Sequence, residues 1–269
     1  MPPRVLVERI KINGTGLTIT YERSGSGPLV VLLHGGLSDH REWRRQLDGL
    51  SDAFTVVAWD APGCGGSSDP PVSFRMSDYA DVLAGFVATL DLGRPSVVGL
   101  SWGSTLALEL YRRHPTVLTS LVLTAAYAGW AGSLPPEVVA ERIQGVRRGL
   151  ELPPEEWVRE WIPTLFTDRA PDAMVEEAVA MMCDFHPGGV KPMLEALADA
   201  DLRGMLGSID VPTLLLYGEE DVRSPLTVAE ELHRGIRGSE LVVLPEVGHQ
   251  CNIEAADRFN TAVRGFLTR

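Results

Sequence analysis

Three residue types that together can hydrolyse an acyl bond stand at the ends of apolar runs in this chain. Ser101 lies in Gly99-Leu100-Ser101-Trp102-Gly103, the G-x-S-x-G spacing of a sharp strand-to-helix turn. A serine hydroxyl is a weak nucleophile until a histidine takes its proton, and that histidine needs an acid to fix its tautomer. Such turns use the chain order serine, acid, histidine. "LLLYGEEDVRSP" offers Glu219, Glu220 and Asp221, and "VLPEVGHQCNIE" offers His249. The other histidines read as structural or solvated: His34 and His114 in turns, His40 and His233 on helices, His186 in a helical stretch. The rival reading of Ser101 is a glycine-rich turn with an idle serine, and the surrounding elements decide between the two.

Those elements alternate. "RVLVERIKI" and "LTITYERSG" read as a hairpin turned at Asn13-Gly14. "PLVVLLHGG", "FTVVAWDAPG" and "RPSVVGL" are short, nearly continuous apolar runs, as strands buried on both faces should be, and "TSLVLTAAYAG", "VPTLLLYG" and "ELVVLP" read as further strands. Helical patterns separate them: "DHREWRRQLDGL", "SDYADVLAGFVATLDL" with Ser77 as its N-cap, the stretch from Ser101 to the stop at His114-Pro115, "SPLTVAEELHRGI" and "AADRFNTAVRGFL". This rhythm calls for an α/β fold with a mostly parallel sheet of about eight strands and helices on both faces. It breaks after Gly129. Four helix-like segments, two of them opened by Pro135-Pro136 and Pro153-Pro154, fill residues 130–206 without a convincing strand. We therefore expect a core of residues 1–129 and 207–269 and a helical insertion of 130–206.

Twenty-four basic against 36 acidic residues leave a net charge of −12, which disfavours nucleic acid and anionic membrane as partners. "MPPRVLVERIKING" has no signal-peptide h-region, and no apolar run is long enough for a transmembrane helix. The three cysteines, Cys64, Cys183 and Cys251, are odd in number and scattered. A disulfide framework is not expected, and a cytoplasmic location is. There is no H-E-x-x-H run and no Cys/His cluster at metal spacing, and "GCGGSS" lacks the lysine of a phosphate-binding loop. No metal or cofactor is expected.

The stretches "LHGGLSDHREW", "WDAPGCGGSSDP", "GLSWGSTLALEL", "LYGEEDVRSP" and "EVGHQCNIEAADRFN", in that order, resemble the α/β-hydrolase superfamily over nearly the whole chain, with a helical cap inserted as is common there. The resemblance implies a Ser101-His249-Asp221 triad, singling out Asp221 from its neighbours. It implies an oxyanion hole from the backbone N–H groups of Gly36 and Trp102, and a structural role for Asp60. A serine nucleophile excludes relatives that use aspartate there. "GEEDVRSP" and the carboxyl-terminal motif look like those of 3-oxoadipate enol-lactonases and small carboxylesterases. "GCGGS" and the serine segment look like those of prolyl iminopeptidases, whose H-G-G-P-G signature is "HGGLS" here. The favoured expectation is hydrolysis of a carboxylic ester or lactone. An aminopeptidase is the alternative, and a triad-retaining binding or receptor protein is a further one. Caps lie over the serine, so Trp130, Trp157, Trp161 and Phe166 are the expected pocket lining, which points to a small-molecule substrate with an apolar portion. Oligomeric state is not legible.

Overall fold

The computed structural model describes residues 6–269; Arg4 and Val5 of the expected first strand, with the rest of Met1–Val5, lie outside them. Strands β1 (Leu6–Lys11) and β2 (Thr18–Ser24) form the hairpin, turned through Asn13 and Gly14. Then follow β3 (Leu29–Leu33), α1 (Arg44–Leu50), β4 (Thr55–Trp59), α2 (Met76–Leu90), β5 (Ser96–Leu100), α3 (Trp102–Arg113) and β6 (Ser120–Thr124). Four helices come next: α4 (Pro136–Gly149), α5 (Pro154–Leu165), α6 (Asp172–Cys183) and α7 (Pro187–Asp199). The chain closes with β7 (Thr213–Gly218), α8 (Leu226–Gly235), β8 (Glu240–Leu244), the single turn α9 (Cys251–Glu254) and α10 (Ala256–Leu267).

The eight strands make one sheet in the order β1-β2-β4-β3-β5-β6-β7-β8, antiparallel at its first two pairings and parallel from β4 onward. Alternation along each strand divides the core. Val31, Leu33 and Val97 face α2, α3 and α8, whereas Val30, Leu32 and Val98 face α1 and α10. Both faces are therefore dry, as the expected α/β fold with a mostly parallel sheet requires. β5 lies at the centre of the sheet, and its carboxyl end carries Ser101.

Two local expectations need correction. The helix expected over "DHREWRRQLDGL" opens as a 3₁₀ turn, His40–Trp43, because Asp39 accepts the Arg41 N–H at 2.9 Å and tightens the entry. Ser77 is not the cap of α2. Asp78 reaches back to accept the Arg75 N–H at 2.7 Å, so Arg75 occupies the N-cap position and Ser77 lies inside the first turn. In the inserted region, α4 and α5 each start on the second proline of a pair, where a missing N–H costs nothing. Its two connections to the sheet run side by side: Trp130 N–H donates to Leu197 at 2.9 Å, and a Cβ on Gly129 would lie 2.0 Å from the Ala200 carbonyl oxygen. Only glycine fits that crossing. Among the described residues no helix is long and apolar enough to cross a membrane.

Candidate active site

The turn between β5 and α3 is built by close approach. Ser101 has φ 52° and ψ −111°, a strained backbone for a residue with a Cβ. Its N–H is tied to Thr124 of β6 at 2.8 Å, and its carbonyl accepts from Ser104 and Thr105. A Cβ on Gly99 would sit 2.4 Å from the Gly103 carbonyl oxygen, and one on Gly103 would sit 2.2 Å from that of Leu33. The two glycines let α3 start directly against β5 and β3, which pushes the serine out beyond the sheet edge.

Asp221 and His249 reach the same edge from the loops after β7 and β8. One Asp221 carboxylate oxygen accepts the N–H groups of Arg223 and Ser224, each at 2.8 Å, and the other lies 2.8 Å from His249 Nδ1. Both residues are buried. The acid thus sits rigidly behind the imidazole and fixes its proton on Nδ1, leaving Nε2 as the acceptor. Among the described residues neither Nε2 nor the Ser101 hydroxyl makes a hydrogen bond, to each other or to any other group, and both residues line one cavity. Glu219 and Glu220 are exposed and turned away, toward Glu246 N–H and Arg169.

Gly36 belongs to the same cavity, and the Trp102 N–H is the first of α3, with no preceding turn to bond it. The loop carrying Gly36 is braced twice. His34 is fully buried. Its Nε2 accepts the Ala61 N–H at 3.0 Å, so Nδ1 carries the proton toward Gly35 O at 2.7 Å. Burial holds its pKa below the ordinary value.

The second brace is Glu42, which sequence reasoning missed. Its carboxylate accepts the Gly35 N–H at 2.8 Å and the Gln250 side chain at 3.1 Å. It therefore ties the Gly36 loop to the residue next to His249. The available signal was its place beside Trp43 on the inward stripe that Leu47 and Leu50 continue. Burial pushes its pKa up, to about 7, against the hydrogen bonds from Gly35 and Gln250. The folded state then holds this proton more tightly than the unfolded one. The contribution to stability is complete below the ordinary carboxylate pKa and is lost as pH rises to about 7. Relative to Glu42→Gln, wild type should lose on the order of 1–3 kcal/mol of unfolding free energy between about pH 5 and about pH 8. Parallel denaturation midpoints for the two proteins across that range would contradict this.

Of the residues expected to line the pocket, Trp130 and Trp161 do so, together with Leu165, Leu194 and Leu197. Trp157 and Phe166 do not. Trp157 is spent inside the inserted helices, edge-on to Trp161 and Phe185 at centroid distances of 5.6 and 5.2 Å, above Gly149. Phe166 is buried in the chain leaving α5, outside the cavity lining. Arg142 of α4 points inward onto Tyr127 and Trp130. The cavity is tight, about 20 Å³; larger clefts of about 260 and 740 Å³, bordered by Met174 and by Asp257, contain neither Ser101 nor His249. Asp39, His40 and Asp60 bring three metal-ligand-type atoms together, but they are already engaged. Asp39 is gripped by Arg41, and Asp60 accepts from His40 and the Gly66 N–H.

A model of the alpha/beta hydrolase family matches residues 30–262. A Klebsiella pneumoniae protein named as a carbamate hydrolase is 29% identical, covering 90% of this chain and 91% of its own. The solved structure of a thermophilic esterase from Thermogutta terrifontis is similar at TM-score 0.89 and 30% identity, over 98% of both chains. That of an enol-lactonase from Burkholderia xenovorans is similar at TM-score 0.86 and 26% identity, over 97% of this chain and 100% of that one.

Proposed function

The chain belongs to the alpha/beta hydrolase family, and from that membership and the geometry around Ser101 we propose that it cleaves a carboxylic ester or lactone through an acyl-enzyme. The observation that carries this is the meeting of three distant residues: His249 held by Asp221 at 2.8 Å, on one cavity with Ser101. His249 Nε2 takes the hydroxyl proton as Ser101 Oγ attacks the carbonyl carbon. The tetrahedral oxyanion receives the N–H groups of Gly36 and Trp102; one such donor is typically worth about 3–4 kcal/mol in the transition state. His249 then returns the proton to the departing alkoxide, and water repeats the cycle on the acyl-enzyme.

In this reading residues 130–206 are the cap over a core of 1–129 and 207–269, and Trp130 and Trp161 of that cap face the apolar part of the substrate. The cavity is small, about 20 Å³, so entry of a substrate of any length shifts side chains such as Trp161 and Leu194. A reducing, cytoplasmic location fits the three unpaired cysteines. The choice of ester over aminopeptide rests on the lining, which among the described residues includes no carboxylate to hold a substrate ammonium. The testing experiment is a hydrolysis screen of short-chain p-nitrophenyl esters, lactones and aminoacyl anilides on the purified protein. We expect ester or lactone turnover that a fluorophosphonate abolishes and a chelator leaves unchanged. Turnover lost in chelator and restored by metal would overturn the mechanism.

A further inference from the structure

The cavity that holds Ser101 and His249 is bordered by a cation that no carboxylate pairs with among the described residues. Arg223 follows the acid of the site by two residues, and its backbone N–H donates to Asp221, which fixes where its side chain departs. The guanidinium carbon lies 4.4 Å from the Trp161 ring centroid, Nη1 donates to the Thr164 hydroxyl at 3.1 Å, and the side chain lines the cavity. Among the described residues that hydroxyl is the one side-chain partner its N–H donors find, and no carboxylate pairs with it.

The acid two residues away, Asp221, is committed to two backbone N–H groups and His249. A second cation lies close by. Arg142 donates to the Arg223 carbonyl at 2.8 Å and lies over the Trp130 ring at 5.3 Å, and it too has no carboxylate partner among the described residues. Elsewhere the chain pairs partly buried arginines with carboxylates, as in Arg45 with Glu177 and Arg264 with Asp52. In a protein with 36 acidic and 24 basic residues, a catalytic cavity with a guanidinium and no carboxylate is an arrangement against the overall charge.

A partly desolvated cation is costly when left without a counter-charge, and a guanidinium's planar fork matches the two oxygens of a carboxylate. Burial pulls the pKa of Arg223 below the ordinary arginine value, as a charge short of compensation requires. The stack on Trp161 holds the fork without consuming its N–H donors. We propose that Arg223 is the anion subsite of this pocket and that the substrate is an ester or lactone bearing a carboxylate. The inference rests on the hydrolase reading for the word ester, and on Arg223 alone for the word carboxylate.

The test compares kcat/KM for p-nitrophenyl butyrate with that for the p-nitrophenyl monoesters of succinate, glutarate and adipate. Wild type should favour at least one monoester by about 10-fold or more. In Arg223→Met that ratio should fall to one or below, and Arg223→Lys should retain part of it. Each ratio is taken within one protein, so a general loss of activity cancels. A wild type that prefers the neutral ester, or a ratio unchanged in Arg223→Met, overturns the subsite while leaving the hydrolase reading intact. Should neither ester nor lactone be cleaved, the hydrolase reading fails instead; in that case, or if only lactones are cleaved, calorimetry with free glutarate decides the subsite. Binding to wild type that Arg223→Met and Arg223→Lys weaken in that graded order supports it; no binding overturns it. If Arg223→Met does not fold, wild type and Arg223→Lys alone still carry both measurements.

Discussion

Ser101→Ala is expected to lower kcat for p-nitrophenyl butyrate by about 10⁴-fold or more, and His249→Ala by a similar factor. Combining the two should cost little further, because nucleophile and base act as one unit and removing either abolishes the covalent route. What remains is binding and oxyanion stabilisation of a water-borne reaction. Asp221→Asn should be milder yet large, about 10²–10⁴-fold. The asparagine can offer its N–H₂ to His249 Nδ1 and so favour the tautomer whose Nε2 carries the proton and cannot accept one. The backbone bonds from Arg223 and Ser224 to Asp221 Oδ1 can persist with an amide oxygen, so this loss is catalytic rather than structural. Steady-state rates of the four variants on one ester provide the check. Near-wild-type turnover by Ser101→Ala would remove the mechanism altogether.

The second large effect is substrate discrimination. We expect p-nitrophenyl butyrate to exceed prolyl p-nitroanilide by at least about 100-fold in kcat/KM, equivalent to about 2.7 kcal/mol of differential transition-state binding. An anilide nitrogen leaves far less readily than a phenolate. An aminopeptidase offsets this by anchoring the substrate's ammonium on buried carboxylates, which are costly to keep without a cation. Here the acids of the inserted helices are spent on the surface: Glu155 and Glu176 both pair with Arg159. The cavity itself holds Arg223, which repels an ammonium. Side-by-side initial rates at about pH 7.5 decide the matter, and a better rate on the anilide would make the prolyl iminopeptidase reading the correct one.

How much of this was legible beforehand varied with how local the cause was. The sheet was, because β3, β5 and β7 are apolar on both faces, and such runs admit little else. The start of α2 was not: the choice between Ser77 and Arg75 turned on which backbone N–H the Asp78 carboxylate reached. Ser101 stood out through its glycine neighbours, whereas Asp221 could be separated from Glu219 and Glu220 only by likeness to known hydrolases. Apolar side chains of the insertion were the least readable. Trp157 and Trp161 sit four residues apart on α5, and a slight rotation of that helix decides which of them meets the cavity. The parts played by Glu42 and Arg223 depend on partners such as Gln250 and Trp161 that lie far away in the chain.

The central claim, that Ser101 is the covalent nucleophile, is tested most directly by mass spectrometry after treatment with a fluorophosphonate. We predict one adduct per chain, mapped to the peptide containing Ser101, absent from Ser101→Ala and formed much more slowly in His249→Ala. A chain that stays unmodified while it turns over ester, or an adduct that maps to any other residue, would contradict the account.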